Sequence, residues 1–153
     1  MSFAERLSDP AWRTTALLLL GMILLMVVLR LLEARRVRGK FPRENIVRTG
    51  FGITYYGLDS ETSTLQRTLG ALVLLKDGLC FRARVTGQEL YIPGTAVLNI
   101  GLTNSHKGRT LRQYVVAIRF RTPEGRAETA AFRFPQPVRW ITALKATLTP
   151  GRE

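Results

Sequence analysis

The chain has 153 residues with a single cysteine and a single histidine, and its formal net charge is +12. One cysteine cannot form an intramolecular disulfide, and one cysteine with one histidine is too few for a zinc site, which argues against a disulfide-stapled secreted module and a zinc module. This net positive charge is compatible with three classes of partner, namely anionic lipid, nucleic acid or an acidic protein.

The first predicted element is a transmembrane helix over residues 14–33, preceded by a short tail of residues 1–13. No charged residue occurs between Thr14 and Leu29, and two leucines extend the apolar run past Arg30. A membrane-spanning helix needs about 20 such residues, and the long side chain of Arg30 can reach the lipid headgroups. The residues predicted to anchor this helix in lipid are Trp12, Leu17, Leu20, Ile23, Leu25, Val28 and Leu29.

Two other interpretations compete for the same run. A signal peptide would have a shorter apolar region followed by a small-residue cleavage site, and residues 31–36 (LLEARR) offer no such site. A core helix of a soluble protein would normally keep a polar face, whereas this run is apolar all round. The sequence therefore favours a membrane anchor.

The distribution of positive charge predicts the orientation of that anchor. Arg6 and Arg13 precede the apolar run, whereas six Lys and Arg residues follow within residues 30–43. The positive-inside rule then places the C-terminal domain on the cytoplasmic side of the inner (plasma) membrane. Residues 34–44 form a basic juxtamembrane linker, whose candidate contacts with anionic lipid are Arg35, Arg36, Arg38 and Lys40.

Residues 45–149 are predicted to form one mainly β domain, and residues 150–153 a tail. The clearest strands, from alternating apolar residues and turn signals, lie at 70–75, 79–85, 89–92, 96–102, 111–121 and 126–134. Residues 51–56 are a less clear strand, and residues 59–64 are typical of a loop. In the first hairpin the predicted buried face carries Leu79, Phe81, Ala83 and Val85, and the opposite face carries Cys80, Arg82 and Arg84.

The second hairpin and the C-terminal segment show equally regular spacing. One predicted core face of the hairpin carries Tyr114, Val116, Ile118, Phe120, Ala130, Phe132 and Phe134. Pro137 is a favoured first residue of a helix, and the apolar residues that follow at helical spacing are Trp140, Ile141, Leu144 and Leu148. The chain should therefore run through six or seven strands and end in one amphipathic helix.

A few short segments carry a family resemblance, namely 70–74 (GALVL), 78–81 (GLCF), 90–93 (LYIP), 97–100 (VLNI) and 131–134 (AFRF), with Trp140 and Leu144 behind them. This pattern over roughly residues 50–148 resembles the pleckstrin-homology-like (PH-like) superfamily, in particular small bacterial PH-like and GRAM-like domains. The resemblance implies a bent, near-barrel antiparallel sheet capped at one end by the C-terminal helix. Several small bacterial proteins of this kind combine one anchor helix with such a domain.

The sequence offers no recognisable catalytic set, metal site or cofactor motif. His106 lies in a polar segment, residues 105–109, and is interpreted as a solvated loop residue without a nucleophile or orienting carboxylate. Cys80 is interpreted as a semi-buried small side chain of a strand. Neither a GxxxxGK[ST] nor a GxGxxG motif is present. We therefore expect a protein that is not an enzyme.

The strongest functional pattern is basic. Lys76, Arg82 and Arg84 flank the first hairpin as Lys-x5-Arg-x-Arg, which is similar to the arrangement that phosphoinositide-binding PH domains use. The resemblance implies a contact site for lipid or for a partner, and the simpler, favoured interpretation is a solvated strand face. Nucleic acid is an unlikely partner, because the aromatics that could stack on bases alternate onto predicted core faces: Phe81, Tyr114, Phe120 and Phe132.

Three functions remain open at this point. The first is a membrane-anchored PH-like module for protein–protein interaction, an accessory or scaffold component of a membrane complex. The second is a module that binds anionic lipid through the basic residues named above. The third is a subunit of a transporter or enzyme whose chemistry lies in another chain.

Overall fold

The computed structural model describes residues 10–61 and 65–149, and the chain divides into two compact units, Met1–Gly39 and Lys40–Glu153. The described part of the first unit contains a helix, α1, Pro10–Arg38. Its 29 residues span about 44 Å at 1.5 Å per residue. The helix is long and apolar enough to cross a membrane, although a signal sequence near an N-terminus meets the same criteria.

The side chains predicted to anchor the chain all lie exposed along α1. They are between 42% and 66% exposed, and they are Trp12, Leu17, Leu20, Ile23, Leu25, Val28 and Leu29. The last turn of the helix carries Arg35, Arg36 and Arg38, so these three are helical residues. The helix thus presents a long apolar surface followed by a basic end, as the charge pattern predicts.

The second unit is a seven-stranded antiparallel sheet with one helix after it, counted over the described residues. The strand order is β4-β3-β2-β1-β7-β6-β5. The strands are β1 Ile46–Leu58, β2 Thr68–Leu75, β3 Gly78–Ala83, β4 Glu89–Pro93, β5 Val97–His106, β6 Arg109–Arg121 and β7 Ala127–Arg133, and the helix is α2 Pro137–Leu148. The predicted mainly β fold with a C-terminal helix is confirmed.

The core lies on one face of the sheet, where alternate residues of neighbouring strands meet. Phe132 is fully buried there, with ring centroids 5.2 Å from Tyr55, 5.6 Å from Phe81 and 6.2 Å from Phe134. The helix α2 contributes the apolar residues that the spacing predicted to be buried, Trp140, Leu144 and Leu148. Such interdigitation of aromatic and aliphatic side chains is the main stabilising contribution in a domain of this size.

A break in the sheet separates its two edge strands, β4 and β5. They are consecutive in the chain and joined only by a short 3-10 turn, Gly94–Ala96, yet they are not hydrogen-bonded to each other in the sheet order. The helix α2 packs against β5, β6 and this turn. One end of the sheet is therefore closed by a helix instead of by strand pairing.

A second, smaller apolar cluster lies on the opposite face of the sheet. It contains Tyr56, Leu111, Val115 and Ala131, and Leu65 from the β1–β2 loop packs against it. Val115 alternates with the predicted core residues of β6 and therefore lies on the opposite face of that strand, where it is also buried. The pattern misses this cluster because the covering residue comes from a loop distant in sequence.

Three expectations for single residues are wrong. Val85 is 94% exposed, because β3 ends at Ala83 and Val85 belongs to the following turn. Tyr114 is 64% exposed, because pairing of β6 with β7 begins only at Val116 and leaves Tyr114 without that neighbouring strand. His106, predicted to be solvated, is the last residue of β5 and only 5% exposed.

Candidate interaction surface

The three cations of the first hairpin do not form one cluster. Lys76 is exposed in the β2–β3 turn, whereas Arg82 and Arg84 lie at the other end of β3. A strand rises about 3.3 Å per residue, so the four residues from Gly78 to Arg82 separate the two ends by about 13 Å. The structure brings Arg82 and Arg84 together and leaves Lys76 apart from them. Their role as a contact site stays a prediction.

A carboxylate that sequence reasoning did not single out lies beside Arg82. Glu89, the first residue of β4, is the register partner of Arg82, and its Oε1 is 3.7 Å from Arg82 Nη1. The ammonium of Lys40 pairs with the other oxygen of the same carboxylate. These side chains are 31–45% exposed, so each pair contributes at most about 1 kcal/mol. Two of the predicted contact cations therefore share one acidic partner.

Cys80 lies in the middle of β3 and is buried. Burial raises the pKa of its thiol, and the nearby carboxylate of Glu89 acts in the same direction. A raised pKa keeps the thiol protonated at neutral pH, and the thiol is a far weaker nucleophile than the thiolate. The structure thus supports the interpretation of Cys80 as a packing residue.

His106 joins the end of β5 to β1. Its Nε2 lies 3.0 Å from the carbonyl oxygen of Gly57, and because a carbonyl only accepts, the ring nitrogen is the donor. Burial lowers the pKa of His106, and the charge of Lys107 adds to this effect against the opposing hydrogen bond to Gly57. The residue is therefore held as a neutral structural contact between β5 and β1.

Two carboxyl groups fix the start of the β1–β2 loop against β7. Asp59 Oδ1 accepts a hydrogen bond of 2.8 Å from the amide of Thr129, and Glu128 Oε2 accepts one of 3.3 Å from the amide of Ser60. Burial acts to raise the pKa of Asp59, but hydrogen bonds to its carboxylate, among them the one from the amide of Thr129, outweigh burial and leave that pKa lowered. Asp59 and Glu128 thus accept hydrogen bonds from backbone amides and hold the start of the loop in place.

An open groove of about 650 Å³ lies at the corner between β4 and β5. Its apolar walls come from β4, from the turn after it, and from the end of β6. The main contributors are Tyr91, Pro93, Leu98, Phe120, Arg121 and Pro123. Tyr91 is 47% and Leu98 39% exposed, so apolar and aromatic surface is accessible there. Arg121 supplies the only charge among the described residues that line the groove.

The sequence pattern gave little warning of this groove. Tyr91 and Leu98 belong to strands that are consecutive in the chain, and Arg121 is the last residue of a strand that ends more than twenty positions after Leu98. These residues come together only because β4 and β5, at opposite edges of one sheet, are joined by a short turn. Within residues 10–61 and 65–149 there is no group of three or more metal-ligating side chains.

The fold is similar to that of a solved PH domain, whereas no protein-family model and no curated protein matches the sequence. The Vps36 N-terminal PH domain superposes with a TM-score of 0.53 at 15% identity, over 71% of this chain and 83% of that one. A chain of the 8S snRNP assembly intermediate gives 0.51 at 10% identity, over 71% and 82%. The C-terminal domain of an unknown protein from Leishmania infantum gives 0.46 at 16% identity, over 67% and 83%. At 15% identity the likeness to the Vps36 domain shows a PH-like fold and leaves the activity open.

Proposed function

We propose that this chain is a single-pass, membrane-anchored PH-like module that binds a protein partner at the cytoplasmic face of the membrane. It would serve as an accessory or scaffold component of a membrane complex and carry out no catalysis itself. The observation that carries the proposal is the apolar groove on a PH-like domain that follows a helix long enough to span a bilayer. PH-like folds serve as interaction modules for proteins or lipids.

The groove favours a protein over a small substrate. It is shallow and open, and an exposed tyrosine, a leucine and two prolines are among the residues that line it. Aromatic residues and arginine are enriched in protein–protein interfaces, and Arg121 could pair with a carboxylate at the rim. A membrane tether raises the local concentration of the domain, so a contact of modest intrinsic affinity is sufficient.

Site-specific photo-crosslinking in native membranes tests this function. A photoreactive amino acid replaces Leu98 in the groove, and a matched variant carries it at Gln113, an exposed position of β6 outside the groove lining. We expect a discrete adduct from position 98, identified by mass spectrometry as one membrane-associated protein, and its loss in an Arg121→Glu background. Identical products from positions 98 and 113 would contradict the proposal.

The second candidate is a module that binds anionic lipid through its cations. It is supported by the basic end of α1 and by the exposed Lys76 and Arg84. The 13 Å separation along the hairpin and the pairing of Arg82 with Glu89 argue against one compact headgroup pocket. Binding of the protein to acidic vesicles that is unchanged in an Arg82→Ala/Arg84→Ala variant would dismiss that pocket.

A further inference from the structure

The two edge strands of the sheet, β4 and β5, differ in how they are protected. β4 has 5 residues, begins with Glu89 and ends with Pro93. The carboxylate of Glu89 pairs with Lys40 and Arg82. Short length, charged side chains and proline are the usual devices that keep an edge strand from pairing with another chain. β5 has 10 residues, and no Asp, Glu, Lys, Arg or Pro occurs among them.

The middle of β5 is its regular part. The register of β5 with β6 shifts between Val97 and Asn99 and again between Thr103 and Ser105, so residues 99–103 form the regular stretch. At its end, the hydroxyl of Thr103 donates to the carbonyl of Ser105 at 3.2 Å and accepts from the amide of Ser105 at 3.1 Å. Irregularities of this kind end a strand ladder. A further strand could therefore pair with residues 99–103.

The side chains of this stretch leave room for a further strand. A Cβ atom at Gly101, the central residue, would meet no other atom within 4 Å. Leu102 is 43% exposed, although it is the register partner of the fully buried Val116. An edge strand presents backbone N–H and C=O groups on its open side, and a strand added there would also remove apolar surface of Leu102 from water.

The distribution of charge favours a second copy of this chain as that added strand. The net charge is +12, so two copies repel each other wherever their basic surfaces meet. No charged residue occurs between Glu89 and Lys107. Arg119, the register partner of Asn99, belongs to β6 and lies one strand behind the edge. Two copies can thus meet along β5 without charged side chains on the paired strands, and this uncharged stretch offers nothing that would select an acidic partner.

We propose that two copies of this chain pair antiparallel through residues 99–103 of β5, about a two-fold axis at Gly101. Such a contact is isologous, so the same stretch serves on both sides. The register sets Gly101 against Gly101 of the second copy, and each Leu102 against Ile100 of the second copy. Residues 99–103 are not among the described residues that line the groove, so this contact goes beyond the proposed function.

Disulfide cross-linking of the full-length protein in intact cells tests this register. In a Cys80→Ala background, Gly101→Cys places a thiol at the two-fold axis, where directly opposite Cα atoms lie about 4.5–5.5 Å apart. A disulfide can bridge that separation. Asn99→Cys is the matched control, because position 99 faces position 103 of the second copy and lies about 13 Å from the second copy's own position 99.

After oxidation with diamide, a membrane-permeant thiol oxidant, we expect severalfold more disulfide-linked dimer from Gly101→Cys than from Asn99→Cys or Thr103→Cys alone. Cells that produce the Asn99→Cys and Thr103→Cys variants together should form the mixed dimer, because these positions face each other. This mixed pair tests the same register without altering Gly101. Adding Leu102→Lys to Gly101→Cys should abolish the dimer, since a lysine on an edge strand opposes pairing.

Three results would overturn the proposal. The first is an equal yield of dimer from positions 99, 101 and 103, and the second is the absence of dimer from both Gly101→Cys and the mixed pair. The third is an adduct of Gly101→Cys whose intact mass, compared before and after reduction, shows a different protein, which would identify another occupant of this edge.

Discussion

Trp140 of α2 lies across Gly50 of β1, where a Cβ atom on residue 50 would come within 2.5 Å of the indole ring. The guanidinium of Arg48 stands 4.8 Å from the centroid of the same ring, and Phe134 stacks against it at 4.7 Å. The missing side chain at position 50 therefore sets how closely the C-terminal helix approaches the sheet.

We predict that Gly50→Ala destabilises the domain by about 1–3 kcal/mol, because the new methyl group must displace the buried indole or the backbone of β1. Thermal unfolding of the full-length protein in detergent, followed by near-ultraviolet circular dichroism, measures the change. Gly101→Ala is the matched control, since a Cβ atom at that strand position meets open space. Equal melting temperatures for Gly50→Ala and the unchanged protein would show that the indole of Trp140 leaves room for a side chain at position 50.

The aromatic core makes a second prediction. Phe132→Ala should lower the free energy of unfolding by about 3–5 kcal/mol, because it removes a fully buried ring in contact with three other aromatic side chains. Tyr114→Ala, at an exposed position of β6, should change stability by only about 0.5 kcal/mol. Chemical denaturation of both variants provides the comparison, and similar losses would refute the assigned core.

The buried histidine gives a pH dependence of stability. The folded-state pKa of His106 lies below its unfolded value, so the unfolded chain binds more protons and stability falls as the pH decreases through about 6.5. The loss should continue until the pH reaches the folded pKa. Asp59, whose pKa is also lowered, adds a loss of the same sign only at more acidic pH.

Melting temperatures between about pH 8 and pH 5 test this dependence, because His106 is the only histidine and the carboxylates remain largely ionised over that range. His106→Gln should lower stability at every pH while flattening the slope. A slope that persists in His106→Gln would assign the titration to another group.

The thiol of Cys80 should react slowly. Its side chain is buried and its pKa is raised, so both access and the thiolate fraction are reduced. Titration with a chromogenic disulfide reagent should show slow labelling of the native protein, and rapid labelling of one additional thiol in a Glu124→Cys variant. Rapid reaction of Cys80 would mean that β3 opens readily.

The orientation of the chain is testable with the same introduced thiol. In sealed, right-side-out membrane vesicles, an impermeant maleimide should leave Glu124→Cys unlabelled until detergent is added, because the positive-inside rule predicts a cytoplasmic domain. A Ser2→Cys variant in the Cys80→Ala background should be labelled at once. The reverse pattern would invert the proposed topology.

The sequence predicted the elements that depend on local periodicity. Alternation identified the inward faces of β3 and β7, and helical spacing after Pro137 identified the buried face of α2 through Trp140, Leu144 and Leu148. These patterns are reliable because one face of each element is buried against the common core. The alternating pattern locates strand ends less well. Arg84 and Val85 continue the alternation of β3 beyond Ala83, although they belong to the following turn.

The features that the sequence did not reveal all depend on contacts between distant segments. His106 is buried because its ring reaches the carbonyl of Gly57, forty-nine positions earlier. The carboxylate of Glu89 on β4 pairs with Arg82 of the neighbouring strand and with Lys40, and so offsets part of the positive charge. The groove lies where β4 and β5 are not paired with each other. Hydrophobic periodicity and composition carry no information about contacts between residues that are far apart in the sequence.

Alkaline carbonate extraction of membranes containing the full-length protein, combined with intact-mass analysis, tests the central claim most directly. The account predicts that the chain stays in the membrane pellet and retains its mass through the first residues, because the apolar surface of α1 is stable only in lipid. Release into the supernatant, or a mass that shows removal of the N-terminal segment, would contradict a membrane-anchored module.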